Sequence, residues 1–347
     1  MRKLIENEVA RLKISKTIDE LSTKIDHLAV LLEKYHGQVE SRLAESDPGY
    51  NPAAALGYRG DDVNNIYRGF IGGVQPMSSS PAPIPFGSSV CQQIHFSLDQ
   101  FRFWIQAIKD RPRYHRKLWE FAYVSQVLHE RGMLAHGRRG LGFGVGREPL
   151  PALFASFGAE VVASDQSLEG AIKAGWASTK QHTTDLSVLN ERGICTDRMF
   201  RELVSFAEVD MNAIDAKFNN SFDFCWSACS LEHLGSLEHG LQFIKNSMNV
   251  LKPGGIAVHT TEYNLSSNDA TLEYPDLSVY RRRDIELLFE ELTAAGHSVV
   301  PIDYELGEGF AETVVDLPPY GRGEPHIRLR LGEFDCTSIG VIVQKAQ

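Results

Sequence analysis

Apolar residues recur at Ile14, Ile18, Leu21, Ile25, Leu28, Leu32 and Tyr35, in steps of four and three without a break. This spacing predicts an amphipathic helix with a heptad seam, with Ile18, Ile25 and Leu32 at a and Ile14, Leu21, Leu28 and Tyr35 at d. Isoleucine at a with leucine at d favours two parallel strands. Residues 1–45 therefore read as a coiled-coil arm that joins two copies of the chain. The pattern then breaks. Residues 46–90, with SDPGYNPAAALGYRGDD and GGVQPMSSSPAPIPFGSS, are dense in Pro, Gly and Ser and read as a linker or draped lid. Its Tyr50, Tyr58, Tyr67 and Phe70 either pack over a pocket or anchor the segment to the core. Helical spacing returns in FSLDQFRFWIQAIKDR and PRYHRKLWEFAYVSQVLHERG, with Ser97 as an N-cap and Gly132 as a stop. These helices, in 91–132, read as packing on a domain of residues 133–347, with Trp104, Tyr114, Trp119 and Tyr123 in the core.

From Arg138 onward the pattern alternates between strand and helix, which predicts an α/β domain with a doubly wound parallel sheet. LGFG, AEVVASD, SFAEVD, FDFCWSA and IAVHTTE read as five successive strands. PLPALFASFG, SLEGAIKAGWA and RRDIELLFEELTAAG read as helices. HSVVPIDYEL and CTSIGVIVQ close the chain as an antiparallel pair at one edge, separated by a long polar insertion.

With 347 residues and 43% hydrophobic content, the chain can bury a sizeable core beside a smaller region. The formal charge of -10 repels a nucleic-acid backbone, so no nucleic-acid partner is expected. Basic clusters at Arg111–Lys117, Arg138–Arg139 and Arg281–Arg283 are short and read as solvated faces or loops. The five cysteines, Cys91, Cys195, Cys225, Cys229 and Cys336, include no CxxC pair, which suggests a reduced, cytoplasmic setting and no metal site. No run of 18 apolar residues occurs, so no membrane span is expected.

Candidate chemistry begins at RRGLGFGVGREP, where Gly140, Gly142, Gly144 and Gly146 alternate after the first strand. A glycine-rich turn opening a helix brings backbone N–H groups close to a ligand, but dinucleotides and adenosyl ligands both use it. Asp165 follows Gly146 by nineteen residues, where a carboxylate can accept from both ribose hydroxyls. Asp210 offers an acceptor to an adenine amine beside Met211, an apolar cover for the ring. LKPGG, Leu251–Gly255, turns into the fifth strand.

Taken in that order, these motifs resemble the class I S-adenosylmethionine-dependent methyltransferases from Gly140 to the C-terminus. The resemblance implies a seven-stranded Rossmann-like sheet whose last strand inserts antiparallel between the fifth and sixth. It also implies S-adenosyl-L-methionine as cofactor, held by Gly140, Gly142, Phe143, Gly144 and Gly146, by Asp165 and Gln166, by Asp210 and Met211, and by Ser227. One departure stands out: the family's acidic residue two positions before Gly142 is here Gly140. Either another group takes over its role of holding the methionine end, with Glu148 and Glu232 the nearest acidic candidates, or backbone carbonyls alone hold the ammonium. A chain that binds the cofactor without turnover is the competing expectation from this departure.

Methyl transfer to a hydroxyl needs a positioned base. SLEHLG makes His233 the first candidate, with His259 and Glu262 behind it, Asn264 as a substrate-orienting amide, and Tyr320 and His326 of the late insertion as substrate contacts. DLPPY, Asp316–Tyr320, resembles a motif of amino-methylating DNA enzymes but carries an extra leucine and lies between the last two strands, so it reads as a rigid turn. The layout of helical arm then methyltransferase domain resembles enzymes that tailor bacterial surface glycans. The acceptor expected from it is a hydroxyl of a sugar or small metabolite, with a protein acceptor as the alternative.

Overall fold

The computed structural model describes residues 86–166, 186–320 and 325–347. The coiled-coil arm, residues 46–85 of the expected linker, and the helix expected in SLEGAIKAGWA lie outside the described residues. From the amino end come β1 (Ser88–Val90), α1 (Asp99–Ala107), α2 (Arg116–Glu130), β2 (Arg139–Phe143), α3 (Leu150–Ser156) and β3 (Glu160–Asp165). Next are α4 (Asp197–Leu203), β4 (Val204–Glu208), β5 (Phe222–Ala228), α5 (Leu237–Val250) and β6 (Leu251–Asn264). A small hairpin of β7 (Glu273–Tyr274) and β8 (Leu277–Ser278) leads to α6 (Arg282–Ala294), β9 (Ser298–Val299) and β10 (Ile302–Asp303). The chain closes through α7 (Phe310–Thr313), β11 (Val315–Asp316), β12 (Arg328–Leu331) and β13 (Phe334–Gln344).

Five strands run parallel in the order β4-β3-β2-β5-β6. All seven positions of β5 are buried, as expected for a strand covered by helices on both faces. Strand order reverses between β2 and β5, and this is where an open α/β sheet leaves a crevice beyond its strand ends. β13 lies antiparallel along β6, from Cys336 opposite Asn264 to Gln344 opposite Ile256, and its other flank takes β9 and β1. The final two runs do pair antiparallel, but β13 is interior to the sheet and not at an edge.

Two local expectations change, and one helix is added. Ser88–Val90, assigned to the linker, is a buried strand whose Ser89 pairs opposite Gly340 of β13, where a Cβ would overlap the Tyr123 ring. Ser97 does not cap α1; its Oγ donates to the Ile94 carbonyl and closes a 3-10 turn, and Leu98 precedes the helix. Helix α5, which carries no expectation above, is capped by Ser236, whose Oγ accepts from His239 N, and buries Leu241, Phe243, Ile244 and Met248. Gly132 does stop α2, with a φ of 69°.

Candidate functional site

A cavity of about 440 Å³ lies across the carboxyl ends of the parallel strands. Gly144 and Gly146 line it after β2, Asp165 and Gln166 at the end of β3, Val209, Asp210 and Met211 after β4, and Ala228, Cys229 and Ser230 after β5. His233 and Leu234 follow from the turn before α5, and Lys117 and Phe121 reach in from α2.

The glycine loop is shaped by its neighbours. Gly144 has a φ of 59°, and a Cβ there would lie 2.8 Å from the Ser230 side chain, so a larger residue would strain the turn and fill the space beside it. Gly146 N donates to Asp165 Oδ2 at 3.1 Å, and Asp165 Oδ1 accepts from Gln166 N at 2.8 Å, which fixes that carboxylate at the cavity edge. Asp210 Oδ1 accepts from Asn212 N at 2.8 Å, while Met211 beside it is buried. A nucleoside fits this set, with donors in the loop, a carboxylate for the ribose, and an acceptor beside an apolar side chain for the base.

Four expected cofactor residues lie elsewhere. Gly140, Gly142, Phe143 and Ser227 sit within β2 and β5 and do not line the cavity. A Cβ at Gly140 would overlap the Phe224 ring, and one at Gly142 would overlap Trp226. These two glycines let a β5 aromatic cross β2, which is a packing role. The place of the family's acid is thus taken by an aromatic ring, and Gly140 carries no argument against turnover.

The candidate bases separate cleanly. His233 lines the cavity with its side chain 27% exposed. Its Nδ1–H donates to the Asp276 carbonyl at 2.6 Å, which orients the ring, and its Nε2 lies 3.9 Å from Glu232 Oε1. His259 is sealed in the core. Ser247 Oγ donates to the Ile244 carbonyl and so accepts from His259 Nε2–H at 3.1 Å, while Ser227 Oγ–H donates to Nδ1 at 2.8 Å. Both ring nitrogens are occupied, and the expectation of a basic role fails on access.

Burial also pushes His259 down to about 3, and His95 and His115 to about 4, from an ordinary 6.5. The unfolded chain therefore takes up protons below pH 6.5 that the folded chain refuses. The stability these histidines contribute is complete above pH 6.5 and is lost as pH falls toward 4. Each is expected to steepen that loss by about 1.4 kcal/mol per pH unit. Urea midpoints measured from pH 7 to 5 for the native chain and a His259→Asn variant check this; equal slopes would contradict it.

Asn264 is 4% exposed and fully committed. Its Nδ2 donates to the Ala270 carbonyl and Thr271 Oγ1, and its Oδ1 accepts from Ser266 N and Ser267 N. It organises a turn and has no group left for a substrate. Tyr320 and His326 lie outside the cavity lining. Tyr320 OH donates to the Arg330 carbonyl, and His326 Nδ1 lies 2.6 Å from Asp316 Oδ2.

Glu262 belongs to a buried ionic cluster behind the cavity. Arg116 Nη2 lies 2.5 Å from Glu262 Oε1, and Arg116 Nη1 lies 3.3 Å from Glu120 Oε1. Lys117 Nζ donates to Glu120 Oε2 and to the Ala228 carbonyl, each at 2.9 Å. Burial alone would raise Glu120, yet Lys117 and Arg116 hold it at about 2. Burial dominates at Glu262 and raises it to about 7. Cys229, Glu232 and Glu262 place ligand-type atoms within 4.8 Å of one another, but the Arg116 guanidinium already supplies a cation there, bonding Cys229 Sγ at 3.6 Å as well. Arg116 and Lys117, expected on a solvated face, instead point inward. Only the pairing of α2 with the ends of β5 and β6 reveals this, because their helical spacing is shared by exposed basic residues.

Comparison with known proteins agrees with this geometry. Residues 140–259 match the family described as "Methyltransferase domain". No curated protein matches the chain. Among solved structures, similar chains include 1,6-didemethyltoxoflavin-N1-methyltransferase from Burkholderia thailandensis, at 13% identity and a TM-score of 0.41, covering 77% of this chain and 95% of that one. A SAM-dependent methyltransferase from Aquifex aeolicus is 19% identical, with a TM-score of 0.35 and coverage of 63% and 88%. Another from Methanosarcina mazei is 15% identical, with a TM-score of 0.38 and coverage of 62% and 96%. The family match makes residues 140–259 part of a methyltransferase domain, and the strand order and the cavity agree with S-adenosylmethionine as its cofactor.

Proposed function

We propose that the chain methylates a hydroxyl of a sugar or related small metabolite, with His233 as general base. The observation that carries this reading is the place of His233 in the wall of the cofactor cavity, its ring set by the Asp276 carbonyl. When bound, S-adenosylmethionine supplies an electrophilic methyl group on a sulfonium. As the acceptor oxygen takes the methyl group in place of the sulfur, His233 Nε2 would receive the hydroxyl proton. Asp165 and Gln166 are assigned to the ribose, and Asp210 and Met211 to the adenine. Lys117 Nζ has two protons committed, to Glu120 and Ala228, and the third is assigned to the methionine carboxylate.

Polar groups of the late insertion support a hydroxyl-rich acceptor. Tyr320 is 41% exposed, and its ring meets His326 edge-on at 5.8 Å, so the pair is assigned to the distal part of an acceptor. The heptad seam of residues 14–35 adds a cytoplasmic homodimer to the proposal, which sedimentation of the full chain against one lacking residues 1–45 tests; equal masses would remove it. Methyl-labelled cofactor incubated with sugar and metabolite pools is expected to label a small hydroxylic product. Label found only on protein would overturn the acceptor assignment.

A further inference from the structure

We propose that Glu148 takes over the work of the missing strand acid and holds the cofactor's ammonium as a carboxylate, releasing a proton when the cofactor binds. The inference rests on the cofactor assignment alone and is independent of the acceptor and of His233.

Position singles out Glu148 among the acidic candidates. In the family's usual place stands Gly140, whose missing side chain makes room for the Phe224 ring, so no side chain can reach the cavity from there. Glu232, the other acidic candidate, is 1% exposed, accepts from Thr261 Oγ1 at 3.1 Å, and is not part of the cavity wall. Glu148 is part of that wall, two residues after Gly146 and beside Pro149 at the start of α3. Its Oε1 accepts from Trp226 Nε1–H at 2.6 Å, a donor that orients the carboxyl group and remains available to the charged form. Trp226 is also the ring that occupies the space of a Gly142 side chain. One aromatic thus requires the glycine and holds the replacement acid.

The charges facing Glu148 leave it short of a cation. Burial is the largest influence and raises it to about 8; Trp226 and Lys117 oppose this, while Glu120 and Asp165 add to it. Lys117 is already shared with Glu120. At neutral pH the free protein therefore keeps a proton on Glu148. An ammonium placed beside it favours the carboxylate, and the displaced proton leaves to solvent. The same arrangement discriminates against ligands without the amino group, because they leave a buried carboxyl with nothing to ionise for.

Calorimetry on the full chain with S-adenosylhomocysteine and with 5′-methylthioadenosine, which lacks the amino-acid end, tests this at pH 7 in two buffers of different ionisation heat. The native chain is expected to release close to one proton with S-adenosylhomocysteine and none with methylthioadenosine. Glu148→Gln preserves shape and the acceptor for Trp226. It is expected to abolish the proton release and weaken S-adenosylhomocysteine about 10- to 100-fold, while methylthioadenosine stays within twofold. Equal weakening of both ligands would assign Glu148 a packing role and overturn the proposal. So would unchanged S-adenosylhomocysteine binding, or proton release that persists in the variant. A thermal melt of Glu148→Gln separates loss of fold from loss of the contact, since an unfolded variant would bind neither ligand; Glu148→Asp then repeats the comparison, with proton release expected to be retained.

Discussion

A His233→Ala chain is expected to bind S-adenosylmethionine as the native chain does, yet to turn over its acceptor about 10²- to 10⁴-fold more slowly, the usual contribution of a positioned general base. The separation between binding and turnover follows from geometry. His233 lies in the cavity wall, but its ring is tied to the Asp276 carbonyl and not to the glycine loop or Asp165. Removing the imidazole should therefore leave the loop and the ribose carboxylate in place. Glu262→Gln supplies the contrast. Glu262 is bound through Oε1 by Arg116, so its loss should disturb stability before it disturbs proton transfer. If His233→Ala retains kcat within threefold, or if Glu262→Gln loses turnover with its stability and cofactor binding intact, the assignment of the base is wrong.

Gly140→Asp, which restores the family's usual acid, is expected to destabilise the protein and to bring no gain in cofactor affinity. A Cβ at this position would overlap Phe224, which is fully buried, stacked on Trp226 at 5.9 Å and met edge-on by Phe154. The ring has no direction in which to withdraw. Overpacking of this kind costs about 1–3 kcal/mol, and a carboxylate placed among those rings without a partner adds several more. Gly140→Ala isolates the steric part and should lose about 1–3 kcal/mol in urea unfolding. A Gly140→Asp chain that is as stable as the native one, or that binds the cofactor more tightly, would show that Phe224 does not occupy the site of the acid.

Much of the fold and part of the site are legible in the chain itself, because they depend on local rules. The alternation of buried runs with helical spacing identifies β2 through β6, α3 and α6, since side-chain period follows directly from backbone geometry. The glycine turn, Asp165 and Asp210 could be located because each must follow directly on a strand to face the crevice. Helix α5 and strand β1 escaped for opposite reasons. The stretch before the fifth strand attracted attention for SLEHLG and its chemistry, and Ser88–Val90 is too short to show a period before it pairs with β13.

What the sequence by itself determined is therefore the class of the domain, the succession of its strands along the chain and the carboxylates that end them. Only the tertiary structure decided which polar side chains look into the cavity. His259 and His233 are both histidines near strand ends, yet two serines from different elements hold the first in the core while the second lines the cavity. Arg116 and Lys117 share the spacing of solvated residues, but α2 packs against β5 and β6 and turns them inward. Gly140 reads as a missing ligand until Phe224, 84 positions later, is seen across it. The physical reason is common to all three: periodicity fixes the face on which a side chain stands, whereas its partners, burial and charge come from residues distant in the chain.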